Sequence, residues 1–270
     1  MSPSDLESSI LAAKVGGFEG VEVSPKEIAD RLEIHGPESI KGRFDSEGIR
    51  PAGWGLPTAW RGSEQEFASS LRELPRLARA CAAMGATRTF TWIMPMSDEL
   101  DLARNTLFHV SRLKPVADVL AEAGCRFGLE FIGPKTLRDK GRHPFVYTSS
   151  GMLELAAQIG SNVGLLLDCW HWYTSGGTLA DLAEMSNQQI VYVHVNDAPA
   201  GIARDAQLDN VRALPGETGV IDIGGFMAAL RRIGYDGPVV PEPFKNELAA
   251  LPTDEARLHA VGESMRRIWS

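Results

Sequence analysis

Short apolar runs alternate along the chain with longer stretches in which apolar residues recur at three- and four-residue steps. FEGVEVS (18–24) predicts a strand and SPKEIADRLEI (24–34) a capped helix. IRPAGWGLP (49–57) predicts the next strand, and SEQEFASSLRELPRLARACAAMG (63–85) a helix that ends on a glycine. TRTFTWIMP (87–95) reads as a strand, and residues 98–124 as a long helix kinked at Pro115. CRFGLEFIGP (125–134) is the next strand, with a loop to Thr148 and a helix from Ser149 to Gly160. NVGLLLDCW (162–170) predicts a strand running into a polar loop, TLADLAEMS (178–186) a short helix, and IVYVHVNDA (190–198) a strand. A long loop to Gly219 precedes the helix DIGGFMAALRRIGY (222–235), the strand GPVVPEPF (237–244) and a closing helix over 246–269.

Strict alternation of strand and helix predicts a parallel sheet. Seven strands are counted, and no GxGxxG turn follows the first, which weighs against a dinucleotide-binding sheet. A (β/α)8 TIM barrel fits best. One feature departs from it: the chain opens on a helical stretch, LESSILAAKVGG, where a barrel should open on a strand, so the first strand is expected to be absent or irregular. A length of 270 residues, without internal repeats or a linker, suits one barrel domain over 1–270.

Composition narrows the partners. Three widely spaced cysteines, Cys81, Cys125 and Cys169, form no CxxC pair and predict reduced thiols in a cytoplasmic protein. No signal peptide and no apolar run long enough to cross a bilayer are read from the sequence. The net charge of −8, with no basic cluster interleaved with aromatics, argues against nucleic acid as a partner.

Against this apolar background, four late strands end in a polar group: Glu130 in LEFIGP, Asp168 in LLLDCWH, His194 in VYVHVND and Glu242 in VVPEPF. Any one carboxylate at a strand end is more often a helix cap or surface ion pair, and His194 alone reads equally well as a core histidine. Together they sit at gaps of 38, 26 and 48 residues, one per successive unit. The C-terminal ends of barrel strands converge on one mouth, where bare carboxylates would repel and raise one another's pKa. A divalent cation removes that repulsion; oxygen and imidazole donors suit Mn²⁺, Mg²⁺, Co²⁺ or Zn²⁺ without choosing among them.

LEFIGP, VGLLLDCWHWYTSGG, YVHVNDAP, RALPGETGVIDI and DGPVVPEPF, taken in order, resemble the last four strands of the xylose-isomerase-like barrel family of sugar isomerases and epimerases. Within that family the likeness is nearest to inosose isomerases of inositol catabolism, and more distant to ketose 3-epimerases. The resemblance implies one divalent ion, Mn²⁺ before the others, on Glu130, Asp168, His194 and Glu242. It implies that His171, in the D-x-x-H element, contacts a substrate oxygen and that Arg212 approaches the substrate. From the residues alone, His171 also reads as a loop histidine stacked on Trp170 or Trp172, and Arg212 as a surface arginine paired with Asp209 or Glu217.

The expected chemistry is proton transfer α to the carbonyl of a small keto sugar or inosose, through an enediolate, with Glu130 and Glu242 as proton carriers. The same groups serve a dehydratase or lyase that expels a β-oxygen. An abasic-site endonuclease of this barrel type would need further histidines for a zinc cluster and a basic surface, and a non-catalytic sugar-binding barrel would bind no metal. A homo-oligomer is compatible with all of these. Trp54, Trp60 and Trp92 lie at or after earlier strand ends, where aromatics can line a sugar pocket; Lys135, Arg138 and His143 lie in a loop placed to cover the mouth.

Overall fold

The computed structural model describes residues 5–269. Helix α1 (Leu6–Gly16) comes first, capped by the Asp5 carboxylate. Then come β1 (Gly20–Val21), α2 (Pro25–Glu47), β2 (Arg50–Pro51), β3 (Trp54–Gly55), α3 (Glu64–Ala83), β4 (Arg88–Ile93) and β5 (Met96–Ser97). The chain continues through α4 (Leu102–Glu122), β6 (Arg126–Phe131), α5 (Lys135–Arg138), β7 (His143–Pro144), α6 (Ser149–Ile159) and β8 (Val163–Asp168). It closes with α7 (Cys169–Ser175), α8 (Leu179–Ala183), β9 (Ile190–Val195), α9 (Ile223–Arg232), β10 (Val239–Pro241) and α10 (Asp254–Trp269).

The main sheet has the order β10-β9-β8-β6-β4-β3, every neighbouring pair parallel. In β9 every residue is buried, as expected of a strand covered on both faces. The predicted strand 49–57 is one pass of chain that changes partners midway: β2 pairs with β1, and β3 pairs with β4. The break falls at Gly53, where a Cβ would lie 2.6 Å from the Tyr192 ring and 2.9 Å from the Arg88 carbonyl oxygen. Seven passes of strand thus curl into the barrel wall, as the alternation predicts.

Among the described residues no strand precedes α1, and β1 and β10 share no ladder. Helices α1 and α10 pack together at that seam. Their approach is so close that a Cβ on Gly262 would stand 1.8 Å from the Gly16 carbonyl oxygen.

Other boundaries differ from expectation for local reasons. Helix α2 runs beyond residue 34 because Pro37 restarts it after Gly36, whose φ of 74° breaks the spiral. The loop after β6 holds the short α5, and β7 pairs antiparallel with β5. The polar loop expected after residue 170 is helix α7: the Asp168 carboxylate accepts the Trp170 N–H at 2.7 Å, so the strand's last residue caps the helix. The closing helix begins only at Asp254, after a single 3₁₀ turn.

Alternate strand positions face the barrel interior. The rings of Phe90 and Tyr192 lie there 4.5 Å apart, tilted by 31°, and both meet the His194 imidazole edge-on at 5.7 Å. This aromatic floor leaves the next layer up to be polar.

Candidate metal centre

Four strands deliver that layer. Glu130 stands near the end of β6, Asp168 ends β8 and His194 stands near the end of β9, directly opposite Asp168 in register. Glu242 follows β10 immediately. One ligand-type atom from each of the four lies within 4.8 Å of all the others. His194 Nδ1 sits 3.5 Å from Glu130 Oε1 and 3.7 Å from Glu242 Oε1. Both His194 Nδ1 and Glu130 Oε1 are buried without a hydrogen-bond partner. Buried polar atoms are rarely left so, since each costs the desolvation of an unsatisfied group. Three carboxylates and one imidazole converging on a common point fit a divalent cation in donor type and number.

The charges inside the cluster pull on one another. Burial alone would raise Asp168, but Arg212, His171 and His194 outweigh it and hold the carboxyl below its usual range. Burial opposes charge on His194, yet the nearby Glu130, Glu242 and Asp168 carboxylates raise the imidazole to about 9. Burial raises Glu242 to about 7 despite His194 and Arg212. His171 goes the other way: burial lowers it, and the pull of Asp168 does not restore it. Without a cation, the cluster therefore keeps protons that a metal would displace.

His171 lies on α7, not on a loop. The Arg212 guanidinium, a donor, stands 3.3 Å from its Nε2, and the Gly133 N–H donates to its Nδ1 at 3.2 Å. That approach needs glycine, because a Cβ on Gly133 would lie 2.2 Å from the His171 carbonyl oxygen. Nε2 stands 3.7 Å from Asp168 Oδ2 and 3.9 Å from Glu130 Oε1, turned toward the cluster.

Arg212 is buried, and its guanidinium donates to Asp168 Oδ2 at 2.7 Å and Glu242 Oε2 at 2.8 Å. It also grips Asp209 through the backbone oxygen and Oδ1, at 2.9 and 3.1 Å. The Trp170 and Phe244 rings lie 4.5 and 5.0 Å from its central carbon. Asp197, just past β9, builds the loop that carries it. Its carboxylate accepts backbone N–H groups of Ala198, Thr218, Gly219 and Ile221, all at 2.8–3.0 Å. Its backbone pairs with Ala213, and the Arg212 N–H donates to the Phe244 carbonyl. Asn196 stands beside this link; with its amide turned to satisfy its neighbours, its oxygen accepts from Arg212 at 2.9 Å.

The other aromatic and basic candidates divide. Trp54 and Trp60 are buried in the core, their indole N–H groups donating to the Ala86 carbonyl and the Thr91 hydroxyl. Trp92 is 42% exposed and stands across the strand pair from Glu130. Lys135 is bound to Asp139, Arg138 lies on the Tyr147 ring, and His143 pairs with Ser97 through the backbone; none joins the cluster. Asp209 pairs with Arg212 as the residues alone suggested, although the arginine is buried and not at the surface. Asp197 and Asn196 were not singled out from the sequence; Asp197 carried a signal, an acid three residues after His194 at the same strand end.

The sequence pattern of the family described as Xylose isomerase-like TIM barrel matches residues 10–268, and the chain belongs to that family. A xylose isomerase domain protein from Alicyclobacillus acidocaldarius superposes with a TM-score of 0.85 at 32% identity, covering 98% of this chain and 93% of that one. The inosose isomerase of Halalkalibacterium halodurans is 23% identical over 94% of this chain and 88% of its own length. A 3-dehydroshikimate dehydratase of Pseudomonas aeruginosa is 26% identical over 92% of this chain, which spans 37% of that larger protein. Among the described residues no helix is long and apolar enough to cross a membrane.

Proposed function

We propose that this protein is a divalent-metal-dependent isomerase or epimerase that moves a proton α to the carbonyl of a small keto sugar or inosose. The observation that carries the reading is the convergence of four donors with two buried, unpartnered atoms among them. Glu130, Asp168, His194 and Glu242 would hold the ion, Mn²⁺ in our reading. Bound there, it would polarise the ketone with its neighbouring hydroxyl and stabilise enediolate charge.

The side chains supply the rest. Glu242 is the most accessible ligand, at 29% side-chain exposure, which suits a base that must reach the substrate. It takes the α-proton. Glu130, which approaches the same imidazole nitrogen at 3.5 Å, returns one to the neighbouring carbon or the opposite face. His171, its Nε2 turned toward the cluster, contacts a substrate oxygen, and Arg212 fixes the geometry of Asp168 and Glu242 while adding positive charge beside the substrate. Such general acid–base assistance is typically worth about 10²–10⁴-fold.

Elimination is the second reading, because the same groups would expel a β-oxygen once the α-proton is gone, and the dehydratase relative is as similar as the isomerase. The buried free thiols suit a cytoplasmic setting. The test is NMR of inosose in D₂O with Mn²⁺ present. The α-proton should exchange in the presence of the native protein and about 10²-fold or more slowly with Glu242→Gln; undiminished exchange in the variant would overturn this assignment. An unsaturated ketone among the products would mark elimination.

A further inference from the structure

We infer that Arg61, clamped between Trp60 and Trp92 at the barrel mouth, binds an anionic substituent, so that among the small ketones this site takes, one carrying a carboxylate or a phosphate is favoured over a neutral one. The inference rests on the proposed function and names the substrate class of the same site.

The central guanidinium carbon of Arg61 lies 3.9 Å from the Trp60 ring centroid and 3.8 Å from that of Trp92. One terminal nitrogen donates to the Trp92 carbonyl. The clamp is itself fixed: Trp60 is buried and tied to the Thr91 hydroxyl at 3.3 Å. No carboxylate among the described residues lies within ion-pair distance of Arg61, whereas Arg88, Arg104, Arg112 and Arg212 each have one. Partial burial lowers the Arg61 pKa to about 10, which leaves it a cation at neutral pH. Arg61 stays exposed to solvent, and with one backbone acceptor and no counter-ion its guanidinium keeps donors free for an arriving anion.

Its position connects it to the cluster. Trp92 shares a strand face with Phe90, whose ring meets His194, and its backbone lies opposite Glu130. Trp92 thus neighbours both the Arg61 guanidinium and, through the strand pair, Glu130. A small ring ketone held at the cluster can therefore reach Arg61 with a substituent on its far side. Because two rings already hold the guanidinium, little further ordering is lost on binding.

The test compares binding, not turnover. Calorimetric titration of the Mn²⁺-supplemented protein uses neutral inosose, 3-dehydroshikimate as the carboxylate probe and fructose 6-phosphate as the phosphate probe. One of the two anions should bind roughly tenfold or more tightly than inosose, and which one does so identifies the anion. Arg61→Gln should abolish that preference and leave inosose affinity within about twofold, while Arg61→Lys retains part of it. Equal affinity of the native protein for all three probes would overturn the inference, as would an unchanged preference in Arg61→Gln. A Gln variant that loses inosose binding and melting temperature together would make Arg61 structural and would overturn it too. Exchange of the inosose α-proton, read on the same samples, reports separately on the proposed chemistry.

Discussion

Arg212 joins two carboxylates of the cluster through one nitrogen, at 2.7 and 2.8 Å, and so stands in for part of the positive charge a metal would bring. Removing one partner of a buried ion pair costs about 3–5 kcal/mol, because the other is left unpaired. Arg212→Met should therefore lower the melting temperature of the metal-free protein, on the order of 6–20 °C for a chain of this size. Added Mn²⁺ should recover more of the loss in the variant than it adds to the native protein, since the cation neutralises the same Asp168 and Glu242. Scanning fluorimetry with and without metal measures both, and equal metal-induced shifts would refute the shared role. The four donors were legible in the sequence because each interrupts an apolar run at a strand end. Of the partners of Arg212, Asp209 was read from the sequence; Asp168 and Glu242 were not, because that contact depends on the 211–221 loop. That loop is folded by backbone N–H groups converging on Asp197, and backbone donors leave no trace in residue identity.

At the level of elements, periodicity located all seven strand passes, since each is an apolar run in a sheet covered by helices. It did not divide 49–57 between two partners, because that division depends on Tyr192 filling the space beside Gly53. Nor did it find α7, whose cap is the same Asp168 that looked like a strand terminus. The helical opening was legible, but how the seam closes was not: the α1–α10 contact depends on two glycines 246 positions apart, Gly16 and Gly262. Gly262→Ala places a methyl group 1.8 Å from a backbone oxygen, so the helices must separate. We expect a loss of roughly 1–3 kcal/mol, typical of overpacking. Gly42→Ala is the control: it lies on an exposed part of α2, and a Cβ there meets nothing within 4 Å. It should gain up to about 1 kcal/mol from helix propensity and reduced unfolded-state entropy. Urea denaturation of both variants checks the pair; a neutral Gly262→Ala would mean that this seam is not tightly packed.

For the molecule as a whole, the cluster links folding, protons and metal. His194 is raised in the fold, so its contribution to stability is full below the unfolded imidazole pKa of about 6.5 and is lost as pH rises through about 9. Glu242, also raised, contributes fully below the unfolded carboxyl range and loses that contribution as pH rises through about 7. Asp168 is lowered, so its contribution is present above its usual range and is lost only in acid. Between about pH 5 and 9 these groups therefore make the metal-free protein progressively less stable. Metal binding has the opposite dependence, because it needs His194 neutral and Glu242 ionised. Mn²⁺ should thus raise the melting temperature more at pH 8 than at pH 6. At pH 7 its binding should release roughly one to two protons, measurable by calorimetry in two buffers of different ionisation enthalpy. Binding that releases no protons would mean that His194 and Glu242 are not ligands. The proton count therefore tests ligation independently of any substrate, and a positive result would leave the identity of the ketone to be decided by the affinity for anions at Arg61.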